Sequence, residues 1–438
     1  MTDLRKLLWL YLWLLIFEGA LRKWIVPALD TPLLIIRDPL VIWIYYQAAR
    51  QRLSFNNSFF MPNILLAAAT ALISIFGYGN LLVTIYGLRT NYLQIPLIFL
   101  IPQILNRDDV VAMGRFLFYM SIPIAALVIL QFRSPLESIW NKGAMATHYG
   151  TVRPSGTFSF VTGLSAFFAL VASFLLYGYL NARTYKIWLM ALVTFSILLA
   201  SACSGSRTCL GSIALVVVAA VLCVVFRGKG GMGIIVAAVL IGLALAVLST
   251  TPVFKEGTEQ LNQRMEDTAA QGEDTGGSFA RVLDSMLLPV MTINTAPLFG
   301  NGLGIGTNAG FAMVNTDLIW PEQEWARLIF ESGPIFGLLL CIFRVALTVA
   351  IARSAFAAFR RDNILPVLIF ASIGLLVLNG QWGVPTVLGF AIFGGGLMLA
   401  ACVEPPEWEE EDHEHEHEHE EAHAEGESDQ SPATDRVG

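Results

Sequence analysis

The chain reads as an all-α polytopic membrane protein, and three observations predict that class. Of its 438 residues 55% are hydrophobic and only 14% are charged, against roughly 25% charged in ordinary soluble domains. Its mean hydropathy is +0.63. The apolar residues are also gathered into long blocks rather than dispersed.

A bilayer core takes about 20 apolar residues per helix, and about twelve blocks of the chain approach that length. They lie near 7–26, 32–49, 59–77, 80–104, 110–131, 157–180, 185–203, 208–226, 231–249, 324–350, 363–380 and 384–402. Arg5 and Lys6 precede the first block, which superficially resembles a signal peptide. Ala20 has charged Glu18 two residues before it, a poor cleavage site, so the block reads as an uncleaved first helix. The last two blocks are parted only by a turn around Gln381, Trp382 and Gly383.

Basic residues in short loops set the orientation. Arg50 and Arg52, Arg107, Arg183 and Lys186, Arg227 and Lys229, then Arg353, Arg360 and Arg361 fall in even-numbered loops. With Arg5 and Lys6 they place both termini in the cytoplasm. The large polar insertions, about 250–321 and 132–155, then face outward. Loops that long are usually functional or disordered, and short helices are expected near 255–266 and 279–293. The expected organisation is helices over 1–249, a large extracytoplasmic loop over 250–323, helices over 324–403, and a tail from 404 to 438.

The tail changes how the charge is read. The whole chain has 27 basic and 34 acidic residues, but 15 acidic residues and only Arg436 lie from Glu404 onward. The body is therefore net +7, which suits an anionic lipid or phosphate partner rather than nucleic acid. The tail, with His and Glu alternating over 413–420, repels itself and has little to bury, so it should be disordered. Such alternation could also hold Zn²⁺ or Ni²⁺ weakly. The five cysteines lie in or beside apolar blocks without paired loop spacing, as small buried hydrophobes do.

Several cations break the inside-positive bias: Arg22, Lys23, Arg37, Arg89, Arg133, Lys142, Arg153, Arg207, Arg264, Arg281 and Arg327. Intramembrane charges are expensive and usually functional. A guanidinium offers a planar fork of donors to phosphate oxygens, so a cluster at the outer boundary suits a lipid-linked diphosphate. Local pairing competes with that role. Glu18 and Arg22 are four apart, Arg37 adjoins Asp38, and Arg89 has no acid nearby in sequence. Glu324 with Arg327, and Arg327 with Glu331, have helical pair spacing. Glu322 follows Pro321 at a predicted helix start, where the dipole favours an acid. It also stands where a general base could act. His148, the one histidine before the tail, reads as incidental.

In order along the chain come Ser206-Arg207 ending a helix, Arg281 in the long loop, and Pro297-x-x-Gly300-x-Gly302-x-Gly304. Glu322-Gln323 then opens a helix, followed by Glu331-Ser332-Gly333. This ordered set resembles the O-antigen polymerase and ligase superfamily, of Wzy and lipopolysaccharide-ligase type, over roughly 158–345. The segments Phe17–Trp24, Arg37-Asp38-Pro39 and 153–158 are similar to polymerase-like proteins of exopolysaccharide clusters. Ligases of the family usually carry His where Glu322 stands, so the resemblance favours a polymerase.

The resemblance implies a GT-C-like fold in a bacterial inner membrane and a metal-independent, inverting glycosyl transfer needing no cofactor. Its substrate would be a polyprenyl-diphosphate-linked glycan, and other polysaccharide-assembly proteins would be partners. It implies Glu322 as base, Arg207 and Arg281 as the catalytic and diphosphate-binding arginines, and Arg89, Arg37 and Arg153 as further diphosphate ligands. No Asp-x-Asp metal motif occurs in the first outer loop, which holds only Asp30. Transfer to another acceptor, a lipid-linked oligosaccharide flippase and a non-catalytic scaffold are the rival expectations. No internal repeat of transporter type accompanies the asymmetric outer loop.

Overall fold

The computed structural model describes residues 2–29, 33, 35–78, 80–142, 144, 152–181, 184–270, 293, 296–307, 310, 313–314, 321 and 323–404. Among them the protein is all-helical, with no strand. In chain order the helices are α1 (Thr2–Ala20), α2 (Arg37–Arg50), α3 (Phe60–Tyr78), α4 (Leu81–Leu88), α5 (Leu97–Leu100), α6 (Arg107–Arg133) and α7 (Val161–Leu180). Then follow α8 (Ile187–Ser204), α9 (Arg207–Arg227), α10 (Gly231–Leu248), α11 (Pro252–Ala270), α12 (Glu324–Phe359), α13 (Leu365–Asn379) and α14 (Pro385–Ala400).

The chain is an α-helical membrane protein. Six of the described helices, α6 to α10 and α12, are long and apolar enough to cross a bilayer, and α3, α13 and α14 are shorter apolar helices. α1 misses that standard because Asp3, Arg5, Lys6 and Glu18 interrupt it.

Two apolar blocks are not the single helices that their hydropathy predicts. The block at 80–104 breaks after α4 into a π-helical turn, Arg89–Leu93, and then a bend before α5. Pro96 lacks a backbone donor there, and the polar run Arg89-Thr90-Asn91 is buried against other helices. The block at 324–350 extends to Phe359 and is kinked at Gly333, whose φ is 78°. Pro334 follows and cannot donate to the preceding turn. The helix expected near 255–266 lies within α11, and the one near 279–293 falls almost wholly outside the described residues.

α7 and α14 form the centre. The apolar stretch of α7 is 89% buried, whereas that of α10 is 11% buried. A helix that is apolar all round is either core or lipid-facing, and these two are the extremes. α7 carries Gly163, Ser165, Ala166, Ala169, Ala172 and Ser173, and α14 carries Gly389 and Gly394 to Gly396. Small residues let helix backbones approach closely in a membrane. The buried hydroxyls stay satisfied within the helix, as when Ser173 donates to the Leu170 carbonyl at 2.7 Å.

The starts of α7, α9, α12 and α14 lie on one face. Ser165 and Ser206 hydroxyls meet at 3.4 Å, joining α7 to the start of α9. A side chain at Gly163 would meet Thr386 of α14, and one at Gly383 would meet Thr307. The Trp382 amide donates to Glu324 at the start of α12, at 3.2 Å.

Candidate functional site

On this face two segments distant in sequence become one unit. Lys23 donates to the Ser155 hydroxyl at 2.6 Å and to the Phe158 carbonyl at 2.5 Å. Arg22 donates to the Ser159 hydroxyl at 3.0 Å. Gln131 accepts from the Ser155 and Gly156 amides at 3.2 and 2.8 Å. The segment after Arg153 is thus strapped to the end of α1 and to α6. The local pairing expected between Glu18 and Arg22 does not form, because Glu18 pairs with Arg37 at 2.8 Å.

Arg37 and Arg89 belong to one buried network. Arg37 also donates to Tyr11 at 3.3 Å and to the Pro385 carbonyl at 2.5 Å. Asp38 turns away from Arg37 and pairs with Arg89, which stacks 4.9 Å from the Tyr86 ring centroid. Gln94 closes the circuit, donating to Asp38 at 3.0 Å and accepting from Tyr11 at 2.7 Å. Both arginines that the resemblance made diphosphate ligands are therefore engaged by carboxylates.

A second network lies at the start of α12. Glu324 takes both prongs of Arg327, at 2.9 and 2.8 Å, and one nitrogen of Arg344 at 2.9 Å. Arg327 reaches Asn91 at 3.1 Å, and its remaining nitrogen lies 2.7 Å from Glu331, close enough for ion pairing but not aligned as a hydrogen bond. The i,i+3 and i,i+4 pairs read from the sequence are present. Arg344 also donates to the Val377, Leu376 and Gly380 carbonyls and lies 3.9 Å from the Trp382 ring centroid. Sequence reasoning passed over Arg344, although a lone arginine in the apolar run 335–351 is itself a signal.

The glycine run docks against this network. The Gly306 amide donates to the Glu331 carboxylate at 2.9 Å, and the Gly302 amide to the Glu331 carbonyl at 3.1 Å. Gly300 has φ 73° and crosses the kink at Gly333 so closely that a side chain on either would strike the other's backbone segment. Gly304, at φ 90°, meets the backbone of Gly87 in α4. Only glycine meets both demands without strain.

Arg207 does not end the preceding helix as the sequence suggests, because Gly205 in the left-handed region closes that helix at Ser204; it opens α9, whose N-cap Ser206 accepts from the Cys209 amide at 3.3 Å. Arg153 and Arg207 are brought within electrostatic reach of each other. Burial, and then the charge of Arg207, hold the Arg153 guanidinium below its ordinary pKa. The Nε of Arg153 is buried without a hydrogen-bond partner. Arg281 and Glu322 lie outside the described residues, as does the tail beyond Glu404. No family model matches the chain, and no curated protein matches its sequence.

Proposed function

We propose that this protein is a membrane glycosyltransferase that polymerises polyprenyl-diphosphate-linked oligosaccharide repeat units into an exopolysaccharide or O-antigen chain. It does so on the extracytoplasmic face of a bacterial inner membrane. In this reading about twelve helices cross the bilayer in a GT-C-like arrangement, at roughly 20 residues per crossing, with both termini cytoplasmic. The observation that carries the reading is that Arg207, at the start of α9 beside α7, and Arg153, next to the segment strapped to the end of α1 and to α6, lie within electrostatic reach of each other on the face where the glycine run also docks.

Two guanidiniums within electrostatic reach of each other suit a ligand with two negative charges. The acceptor hydroxyl attacks the anomeric carbon of the donor, and the bond to the diphosphate breaks with inversion. The electron pair leaves on the diphosphate, where Arg207, Arg153 and Arg281 stabilise the growing charge. Glu322 takes the hydroxyl proton. Arg37 and Arg89, with their carboxylates, hold the ends of α1, α2 and α14 in place around the site.

The test is a reaction of the purified protein with lipid-linked repeat units, with and without a chelator, reading product length on a gel. Arg207→Ala and Arg281→Ala should each lower turnover about 10²- to 10³-fold. Glu322→Gln should lower it about 10²- to 10⁴-fold. Chelator should change nothing. Normal polymer from well-folded variants would sink the assignment. Substrate transfer to a different acceptor without chain growth would point to a ligase instead.

A further inference from the structure

An apolar groove of about 330 Å³ lies between α9, α12 and α13, at the ends of α9 and α12 remote from Arg207 and Glu324. That volume is at the lower end of small-ligand sites, roughly 300–1,000 Å³. Phe370, Ala371 and Gly374 of α13 line it together with Phe226 of α9 and Phe356 and Phe359 of α12. α13 packs against both flanking helices. Phe226 is 76% exposed and Phe356 57% exposed, so the groove opens toward the bilayer. The small residues at 371 and 374 leave room that larger side chains would fill.

Its mouth is basic. Phe226 and Phe359 are each followed by an arginine, Arg227 and Arg360, with Arg361 and Lys229 beside them. Asp362 is the carboxylate that ties the mouth together, pairing with Arg227 and lying 3.7 Å from Lys229. Four cations against this one carboxylate leave the mouth positively charged. Cations beside a membrane surface attract anionic headgroups, and a groove with no polar floor favours a hydrocarbon chain.

We propose that this groove is a retained binding site for an anionic phospholipid, with one acyl chain lying on α13 and the phosphate at the Arg227, Lys229, Arg360 and Arg361 mouth. The site is separate from the proposed donor site and does not depend on the glycosyltransferase reading. The lipid would wedge α9 and α12 apart at a fixed spacing while α13 spans them.

The test uses the full-length protein in nanodiscs containing phosphatidylglycerol or phosphatidylcholine, each bearing the same photoactivatable acyl chain. Crosslinked peptides are then mapped by mass spectrometry. The glycerol lipid should label the 367–378 peptide about five-fold or more above the choline lipid, the size of one basic side chain's attraction at an anionic surface. Filling the floor with Ala371→Phe and Gly374→Leu should bring that labelling to background. Arg360→Gln with Arg361→Gln, both exposed, should lower the headgroup preference several-fold while labelling of the floor persists. Equal labelling by the two lipids in the unaltered protein would overturn the proposal. So would preferential displacement of the phosphatidylglycerol probe by added polyprenyl phosphate.

Discussion

Replacing Glu324 by alanine should be among the most damaging single changes in the described bundle. The carboxylate is 4% exposed and accepts four hydrogen bonds, two from Arg327, one from Arg344 and one from the Trp382 amide. Removing it leaves two guanidiniums buried near one another. Arg327 keeps Glu331, but Arg344 keeps only neutral carbonyls and an indole ring. Breaking a buried pair by deleting one partner costs about 3–5 kcal/mol, because a charge is stranded. The stranded charge also predicts a specific non-additivity. Arg344→Met in the Glu324→Ala background should cost much less than in the unaltered protein, with a coupling of about 1–3 kcal/mol. The assay is reversible denaturant unfolding in mixed micelles for the two single variants, the double variant and Arg133→Ala as a control. Arg133 and Glu256 form an exposed pair, so that control should shift stability by about 0–1 kcal/mol. A Glu324→Ala loss below about 1 kcal/mol, or strictly additive single effects, would refute the reasoning, since both outcomes contradict a desolvated network.

Gly304→Ala should destabilise by more than about 1 kcal/mol, because its φ is positive and Gly87 blocks the new methyl. Gly242→Ala in lipid-facing α10 meets nothing within 4 Å and should be neutral or gain up to about 1 kcal/mol from helix propensity; thermal unfolding in detergent checks both. Arg153→Gln should leave the free protein as stable or more stable, since it relieves partial burial of a charge within reach of Arg207, and should abolish the thermal stabilisation expected of the unaltered protein on adding pyrophosphate. Asp362 is held below the ordinary aspartate pKa of about 3.9 by hydrogen bonding to Arg227. Its contribution is therefore present above that value and is lost as pH falls through the lower folded value. Asp362→Asn should melt slightly below the unaltered protein at neutral pH and converge with it in acid.

What could be read from the sequence was what the chain writes locally. Glu324, Arg327 and Glu331 are spaced to meet on one helix, and they do. The alternatives suggested for Arg22 and Arg37 failed for equally local reasons. Successive residues on a helix point to different sides, so Arg37 and Asp38 find separate partners in Glu18 and Arg89. Arg22 sits in a π-helical turn, which rotates it away from Glu18 toward Ser159. The partner of Arg89 is 51 residues away, and no periodicity within either helix reveals that distance. The break after α4 was hidden because hydropathy averaged over a block does not register a three-residue polar run. The glycine run was visible as a pattern. Its reason, two backbone crossings at Gly333 and Gly87, exists only once α12 and α4 are packed.

The arginines differ in what surrounds them. Arg37, Arg89, Arg327 and Arg344 each face a carboxylate, so folding alone accounts for them: each charge is compensated by an acid from the same bundle, and removing either partner is a loss of stability. Arg153 stands apart, with its Nε buried and lacking a hydrogen-bond partner. The charge of Arg207, within electrostatic reach, adds repulsion to a guanidinium that already bears part of the cost of desolvation. The fold nevertheless enforces it, since Lys23, Arg22 and Gln131 strap the segment after Arg153 in place. An arrangement that costs stability and is held rigidly has the form expected of a preorganised anion site. In the proposed reading Arg153 therefore joins Arg207 as an anion ligand, and Arg37 and Arg89 serve as framework.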